Sequence, residues 1–452
     1  GYNGYRDRAN HQLGQDLARR MDPKNESAPH PQLPPGQHNG MFQLSDQLIA
    51  EHAGGNWIVQ ASDESTHVVF PFRPPVDGDF PVGPPPPAAA ETTNPGFVGA
   101  AACQSCHEEK HSGFVHTGHH LTSGLASATG IPGSLSPPSN QLHIDLTDLH
   151  FTMLQRDDRV YQRVGFGEWT IEVPMDVVTG SSKLGQSYLY WVGDALFQSY
   201  VSYLTDADEW IPSPGFSDRA GDYTRPVTVR CLECHMTFIE RLRAPNHFDP
   251  QTAVWGISCE RCHGPGKEHV DFHSANPQQR EARFVVNPQD LPRERQLDIC
   301  AQCHSGTFTT RTKAFAFRPG DRILDHHTPR VENAGKVGSV HTSNQLARLK
   351  QSACFLGSEM TCASCHDPHQ LERGDRQQFS NRCVECHQPA QCGMHDQLGE
   401  NLTANCIDCH MPTGDIEEME LDTAGGRLSP PMIDHLIRID REATDGFMKR
   451  NR

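Results

Sequence analysis

Alternating apolar and polar positions recur between His143 and Pro214, where aromatic and β-branched residues are interrupted by glycine and serine. The clearest stretches read RVYQRVGF, WTIEVPMDVV, QSYLYWVG and FQSYVSYL. A period of two is typical of strands with one buried face. This region is therefore expected to form a small antiparallel β module. Two shorter runs nearer the start, NWIVQ and THVVFPF, are candidate strands as well.

Residues 1–97 differ from the rest because they contain no cysteine and carry two proline clusters, PHPQLPPG and PVGPPPPAAA. Such a composition is typical of a linker or an extended arm. If the arm is ordered, it must dock on its own chain or on a neighbouring one.

The composition limits what can fill the interior. A chain of 452 residues is long enough for two to four domains, yet only 36% of its residues are hydrophobic. Its 38 glycines and 34 prolines favour short elements over long helices. Against that thin core stand 16 cysteines and 27 histidines, which indicates that something other than side chains occupies part of the interior.

The charge and the chain start exclude several classes. A formal net charge of -17 argues against nucleic acid or an anionic membrane surface as the main partner. No run of apolar residues is long enough for a transmembrane helix. The chain opens at Gly1 without an apolar signal segment, so we expect a mature, processed form.

The cysteines follow one pattern, Cys-x-x-Cys-His, which occurs seven times. We number these copies motifs 1 to 7 along the chain. Their paired cysteines are Cys103 and Cys106, Cys231 and Cys234, Cys259 and Cys262, Cys300 and Cys303, Cys362 and Cys365, Cys383 and Cys386, and Cys406 and Cys409.

This spacing is that of covalent haem attachment. Two thiols on one helical turn can each add to a haem vinyl group, and the next histidine then lies under the iron. Zinc sites also use paired cysteines but need no histidine after every pair, and a disulfide framework needs none at all. We therefore expect seven c-type haems, numbered as their motifs. The proximal iron ligands would be His107, His235, His263, His304, His366, His387 and His410.

Several segments resemble bacterial multihaem cytochromes related to the cytochrome c-554 family. They read SACFLGSEMTCASCHDPHQ, NRCVECHQPAQC, NCIDCHMP, GISCERCHGPGKEHV, GAAACQSCHEEK and TGSSKLGQSYLYWVGDALFQSYVSYL. The resemblance covers roughly residues 97–438. It implies an irregular, mainly α multihaem cytochrome fold, here with an inserted antiparallel β module and an extended Pro-rich N-terminal arm.

The motif spacing suggests five segments. Motifs 5, 6 and 7 are so close in sequence that only a turn and a short helix fit between them, so their haems should be close neighbours. The expected segments are the haem-free arm 1–97, the haem 1 segment 98–140, the β module 141–215, haems 2–4 in 216–330, and haems 5–7 with the tail in 331–452.

Some of the remaining histidines should be the second, distal iron ligands. His369 and His269 follow motifs 5 and 3 so closely that each should bind a neighbouring haem. His119, His341 and His435 match distal positions of the resembling family, although His116 and His120 flank the first. Further candidates are His247, His395, His326 and His327. Met236 and Met411 adjoin proximal histidines and are expected to be packing residues.

Two cysteines lie outside the motifs, Cys354 and Cys392. In an exported protein they are expected to form a disulfide that brackets motifs 5 and 6. The alternative is two reduced, buried thiols.

The leading functional hypothesis is electron transfer in the periplasm or outside the cell, along a series of low-potential haems, with no catalytic residue. The acidic surface would favour redox partner proteins with a basic docking surface. A second hypothesis is a multihaem oxidoreductase of the nitrite, hydroxylamine or tetrathionate type with one open haem. A third is a subunit of a larger assembly or filament, in which His30, His38, His52 or His67 of the arm binds a haem of the next subunit. A solvated surface role is the simpler expectation for these four.

Overall fold

The computed structural model describes residues 40–45, 47–61, 66–76, 80, 94–144, 148–216, 220–306, 308–329, 344–415 and 420–450. The candidate ligand His341 and the arm residues His30 and His38 lie outside these ranges, as do both proline clusters.

Strands dominate the first half of the described chain. They form sheets of five, eight and four strands, and three two-stranded sheets lie further along in the described residues. The strands are β1 Met41–Ser45, β2 Leu48–Ala53, β3 Asn56–Ala61, β4 His67–Phe70, β5 Ser123–Leu125, β6 Gln141–His143, β7 Leu149–Arg156, β8 Arg159–Phe166, β9 Trp169–Met175, β10 Val177–Thr179, β11 Gly185–Val192, β12 Ala195–Leu204, β13 Glu209–Pro212, β14 Ala220–Asp222, β15 Arg225–Pro226, β16 Met236–Arg243, β17 His247–Trp255, β18 Phe308–Thr310, β19 His327–Pro329, β20 Thr413–Asp415, β21 Leu421–Thr423, β22 Gly426–Leu428 and β23 Pro431–Ile433.

The five-stranded sheet begins inside the segment expected to be an extended arm. Strands β1 to β4 form an antiparallel meander, and β14 adds to β4 in parallel. Gly54 and Gly55, both with positive φ, make the two-residue turn between β2 and β3. The candidate strands NWIVQ and THVVFPF lie in β3 and around β4. Strands β1 to β4 thus belong to a folded sheet rather than to an extended arm, because their alternate side chains are buried in a core.

The four-stranded sheet, β6-β7-β8-β9, carries the alternation seen in the sequence. Along β7 the buried residues are Leu149, Phe151 and Met153, at every second position. They pack in one large core with Val68 of β4 and Tyr190 of β11. The β region therefore extends to both sides of the expected module at 141–215 and unites three sheets around one core.

The eight-stranded sheet leads to the motif region. Its order is β16-β17-β12-β11-β10-β5, with β13 and β15 also paired to β12. A second hydrophobic core lies against this sheet and includes Leu232 and Met236. Motif 2, which directly precedes β16, is therefore packed against the sheet.

The helices are short and follow the motifs. They are α1 Glu108–Phe114, α2 Val229–His235, α3 Glu260–His263, α4 Lys267–Ala275, α5 Arg293–His304, α6 Ile323–His326, α7 Gln345–Leu349, α8 Ala353–Leu356, α9 Arg376–Val384, α10 His395–Leu398, α11 Cys406–His410 and α12 Arg441–Arg450. Single 3₁₀ turns cover Ala100–Cys103, His120–Thr122, Ala128–Gly130, Pro288–Asp290, Cys362–Ser364, Pro389–Gln391 and Gly399–Ala404. Within the described residues no helix is both long and apolar enough to cross a membrane.

Candidate cofactor site

Each motif is a single helical turn that presents its thiols and imidazole together. In motifs 1, 3, 5 and 6 the histidine N–H donates to the carbonyl of the first cysteine at 2.9–3.0 Å. Motifs 2, 4 and 7 lie in α2, at the end of α5, and in α11. One turn therefore holds the three groups that would bind one haem.

Four proximal histidines face a second imidazole across a gap of constant width. The ring centroids are 6.2 Å apart for His107 and His269, His119 and His304, and His263 and His369, and 6.1 Å apart for His366 and His435. Two imidazoles bound to opposite sides of one iron, each through a metal–nitrogen bond of about 2 Å, have centroids about 6 Å apart. The separation fits one iron between each pair.

His119 shows that such a gap is internal. Burial, followed by the nearby His304 and His366, lowers its pKa to about 4. The residue is nevertheless exposed in the protein chain by itself. The imidazole is neutral at physiological pH, as a metal ligand must be.

Six of the proximal and facing imidazoles are held through Nδ1, which leaves Nε2 as the nitrogen that could bind a metal. Backbone carbonyls accept from four of them, and Asp367 and Thr122 hold two others. The contacts are His263 to Val286 at 2.8 Å, His269 to Arg283 at 2.8 Å, His410 to Arg438 at 2.9 Å, His435 to Ile433 at 3.2 Å, His369 to the Asp367 carboxylate at 3.0 Å and His235 to the Thr122 hydroxyl at 3.0 Å.

The other candidate ligands have different surroundings. His247 Nδ1 contacts Asp194 at 2.7 Å, at the end of the β16–β17 hairpin away from motif 2. His326 uses both ring nitrogens, with Asp321 at 3.0 Å and Thr312 at 3.2 Å. His395 is exposed beside Asp396.

His327 is buried and its Nδ1 has no hydrogen-bond partner. Burial lowers its pKa to about 4. Of the arm histidines, His52 packs on Trp57 and His67 lies in β4, where burial lowers its pKa. Met236 is fully buried as a core residue.

Three proximal histidines lack such a partner: among the described residues no imidazole faces His235, His387 or His410 at the separation found in the four pairs.

The expected disulfide is absent from the structure, in which Cys354 and Cys392 are both free. Cys354 lies near Cys365 of motif 5, whereas Cys392 lies near Cys409 of motif 7. The fold thus leads the two cysteines to different motifs, which their separation along the sequence did not reveal.

The motifs are in contact with one another in an order that differs from their order in the chain. Thiols in contact link motif 1 to motif 3, motif 2 to motif 4, motif 4 to motif 5, and motif 6 to motif 7. Thiols that lie near each other also link motif 3 to motif 4 and motif 5 to motif 6. The contacting thiols are those of Cys103 and Cys259, Cys234 and Cys303, Cys300 and Cys362, and Cys383 and Cys406; the nearby ones are those of Cys262 and Cys300, and Cys365 and Cys383.

Charged side chains inside or beside the motifs hold neighbouring motifs together. In motif 3, the buried Glu260 carboxylate accepts from the Val98 and Gly99 N–H groups, both at 2.8 Å, just before motif 1. It also accepts from Gly266 N–H at 2.8 Å and the Ser258 hydroxyl at 3.0 Å.

Ion pairs also link motifs 5, 6 and 7. The buried Glu372, which follows motif 5, accepts from Arg382 at the end of α9, and Arg376 pairs with Asp408 inside motif 7. Sequence reasoning missed these residues. The signal was present, because motifs 2, 3, 6 and 7 each carry an acidic residue between their cysteines.

The Glu260 contacts lead to a stability prediction. Replacing Glu260 with alanine leaves the buried Gly266 N–H and the partly buried Val98 and Gly99 N–H groups without their acceptor, and it is expected to lower the free energy of unfolding by about 2 kcal/mol. Thermal and denaturant unfolding would measure this. The exposed Glu268 on α4 provides the control, since Glu268→Ala should stay within about 0.5 kcal/mol of the parent. Equal effects of the two substitutions would contradict a stabilising role of the Glu260 contacts between motifs 1 and 3.

The comparison with known families agrees with this site. The family model described as cytochrome c554 and c-prime matches residues 190–264, which contain motifs 2 and 3. Over this segment the chain is therefore similar to multihaem c-type cytochromes.

Two curated proteins are similar to parts of this chain. Dissimilatory sulfite reductase MccA of Wolinella succinogenes is 21% identical over 398 residues, 70% of this chain and 50% of that protein. Multiheme cytochrome MtrA of Shewanella baltica is 24% identical over 214 residues, 45% of this chain and 51% of that protein. The chain spans about half the length of the curated relatives it matches.

Among solved structures, the outer cell wall cytochrome OcwA aligns with a TM-score of 0.48 at 17% identity. The alignment covers 76% of this chain and 79% of that chain.

Proposed function

We propose that the protein carries seven c-type haems that form one electron-transfer path with a side branch. Following the contacts between motifs, the path runs through haems 1, 3, 4, 5, 6 and 7, and haem 2 joins it at haem 4. The thiols become thioethers on haem loading, so contacting sulfur atoms bring the edges of neighbouring haems together.

Four haems would be bound by two histidines each. The ligand pairs are His107 and His269 for haem 1, His263 and His369 for haem 3, His304 and His119 for haem 4, and His366 and His435 for haem 5. Bis-histidine ligation favours low reduction potentials compared with histidine–methionine ligation. An iron with six ligands has no position for a substrate, which leaves it the role of electron carrier.

The single observation that carries this proposal is the constant 6.1–6.2 Å separation of the four imidazole pairs. In three of the four pairs, the second histidine belongs to the segment that follows another motif. The arrangement couples neighbouring haem sites, as a relay requires.

The partners and the location of such a relay are inferred from the net charge of the chain and from the proteins that it resembles. With a net charge of -17, the protein is suited to redox partners with a basic docking surface, and an extracytoplasmic site, periplasmic or extracellular, accords with haem c attachment. Assembly into a larger complex through residues 1–97 is part of the proposal. The chain then acts between proteins rather than on a small molecule.

Intact-protein mass spectrometry and spectroscopy on the holoprotein test the proposal together. Seven haem adducts are expected, with low-spin signals for at least the four paired irons. Redox titration should show transfer of electrons across several low-potential steps. Fewer than seven adducts, or high-spin irons at the paired sites, would overturn the proposal.

A second candidate function is a reductase reaction at one open haem, of the nitrite, hydroxylamine, tetrathionate or sulfite type. Two observations favour it: MccA is named a dissimilatory sulfite reductase, and no described imidazole faces His235, His387 or His410. A high-spin signal that changes on addition of sulfite or nitrite, with turnover from a reduced dye, would support it. A wholly low-spin spectrum without turnover would exclude it.

A further inference from the structure

Two arginines meet where motifs 2, 3 and 4 come together. Arg230, one residue before motif 2, donates to the Gln302 carbonyl of motif 4 at 2.6 Å. Arg261, inside motif 3, donates to the Glu233 carbonyl of motif 2 at 2.8 Å. Both guanidinium groups lie beside Cys234 and Cys303, whose thiols contact each other. We call these two residues the junction arginines.

The junction carries excess positive charge in a buried setting. Arg261 is 8% exposed, and in the described part of the chain no carboxylate forms an ion pair with it. The carboxylate beside these guanidinium groups is the buried Glu233, which pairs with Arg230 and also accepts from the Thr310 hydroxyl and the Phe315 N–H. The buried Glu260 of motif 3 instead accepts from the Val98 and Gly99 N–H groups before motif 1. Arg261 instead lies over the Phe315 ring, at 5.7 Å from its centroid.

The other charged and titratable groups nearby do not cancel this excess. The buried His327 lies close to Glu233 and both junction arginines and is neutral, whereas Arg318 adds a further cation near Arg261. The carboxylate closest to Arg318 is Asp321, which also pairs with His326. Of the two junction arginines, Arg230 pairs with the Glu233 carboxylate, whereas Arg261 contacts Glu233 only through its backbone carbonyl.

A buried positive charge favours the reduced form of a nearby haem, because the iron loses one positive charge on reduction. We propose that the junction arginines, Arg261 foremost, raise the reduction potentials of haems 2 and 4, so that electrons collect where the side branch meets the main path. This inference rests on the proposed haem arrangement and adds a functional role for haem 2 as a store beside the relay.

The experiment is a spectroelectrochemical titration of the purified holoprotein and three variants. Arg261→Gln removes the charge and is expected to make the redox equilibrium of at least one haem about tenfold less favourable for reduction, a downward shift of about 59 mV for one electron. Arg261→Lys keeps the positive charge but loses the planar guanidinium group. Its reduction potentials should therefore stay close to those of the parent protein. Arg163→Gln, in a half-exposed pair with Glu172 on the β sheet, is the control and should leave the titration unchanged.

The outcomes separate the charge effect from a structural one. An unchanged titration curve in Arg261→Gln with full haem content would overturn the inference, as would an equal shift in Arg261→Lys. If Arg261→Gln does not fold, Arg230→Gln tests the same charge, and its unchanged curve would also reject the idea. A parent protein with fewer than seven haems would refute the proposed function itself, whatever the variants show.

Discussion

Replacing His369 with alanine is expected to convert one haem, haem 3, from low spin to high spin while haem 5 stays attached and low spin. His369 follows motif 5 by three residues, but its ring faces His263 of motif 3 at 6.2 Å. The proximal histidine of motif 5, His366, faces His435 instead. Quantitative electron paramagnetic resonance would count the high-spin irons, and mass spectrometry would verify that all haems remain bound.

The matched control for this substitution is His326→Ala. His326 is also a histidine near the motifs, but both of its ring nitrogens are engaged with Asp321 and Thr312. No gain in high-spin iron is expected from it. A low-spin His369→Ala protein, or one in which haem 5 changes instead of haem 3, would contradict the ligand pairing.

What the sequence could predict depends on how local each interaction is. The attachment motif is complete within five residues, so its chemistry can be read without a fold. That His369 and His269 face the proximal histidine of another motif also follows from their short distance to their own motifs. Which proximal histidine each one faces, His263 for His369 and His107 for His269, depends on the path of the chain between motifs, and no local pattern encodes that path.

The β region shows a similar limit. The alternation in RVYQRVGF predicts a strand, and it forms β8, whose partners β7 and β9 are adjacent in sequence. Pairing of β14 with β4, by contrast, joins Gly221 to Val68 across the whole module. The composition of residues 1–97 indicated an arm because the proline clusters outweigh the few strand residues between them.

Charged groups were the hardest to foresee. Acidic residues and arginines are usually solvated, so solvent exposure is the first expectation for Glu233, Glu260 and Arg261, despite their positions inside the motifs. They are buried because motifs pack against one another through short turns, whose free N–H and carbonyl groups need partners.

The buried pair of Arg348 and Asp434 should have the largest effect on stability. The guanidinium donates through Nε to Oδ1 at 2.8 Å and through Nη2 to Oδ2 at 2.6 Å, and both residues are at most 9% exposed. Among the residues that the structure describes, Arg348→Met leaves the buried carboxylate with only the half-exposed Arg438 as an ionic partner, at a cost of about 3 kcal/mol. The denaturant midpoint should fall accordingly.

The same substitution should also disturb haem 5, because Asp434 immediately precedes its proposed ligand His435. The His435 carbonyl accepts from the buried Ser352, whose hydroxyl in turn accepts from Ile437 N–H, so the loop is anchored at several points. A double variant, Arg348→Met with Asp434→Leu, removes both charges and should recover much of the lost stability. Arg156→Met, which breaks an exposed pair with Glu172, should cost no more than about 1 kcal/mol. If Arg348→Met is no more destabilising than Arg156→Met, this pair does not hold the His435 loop in place.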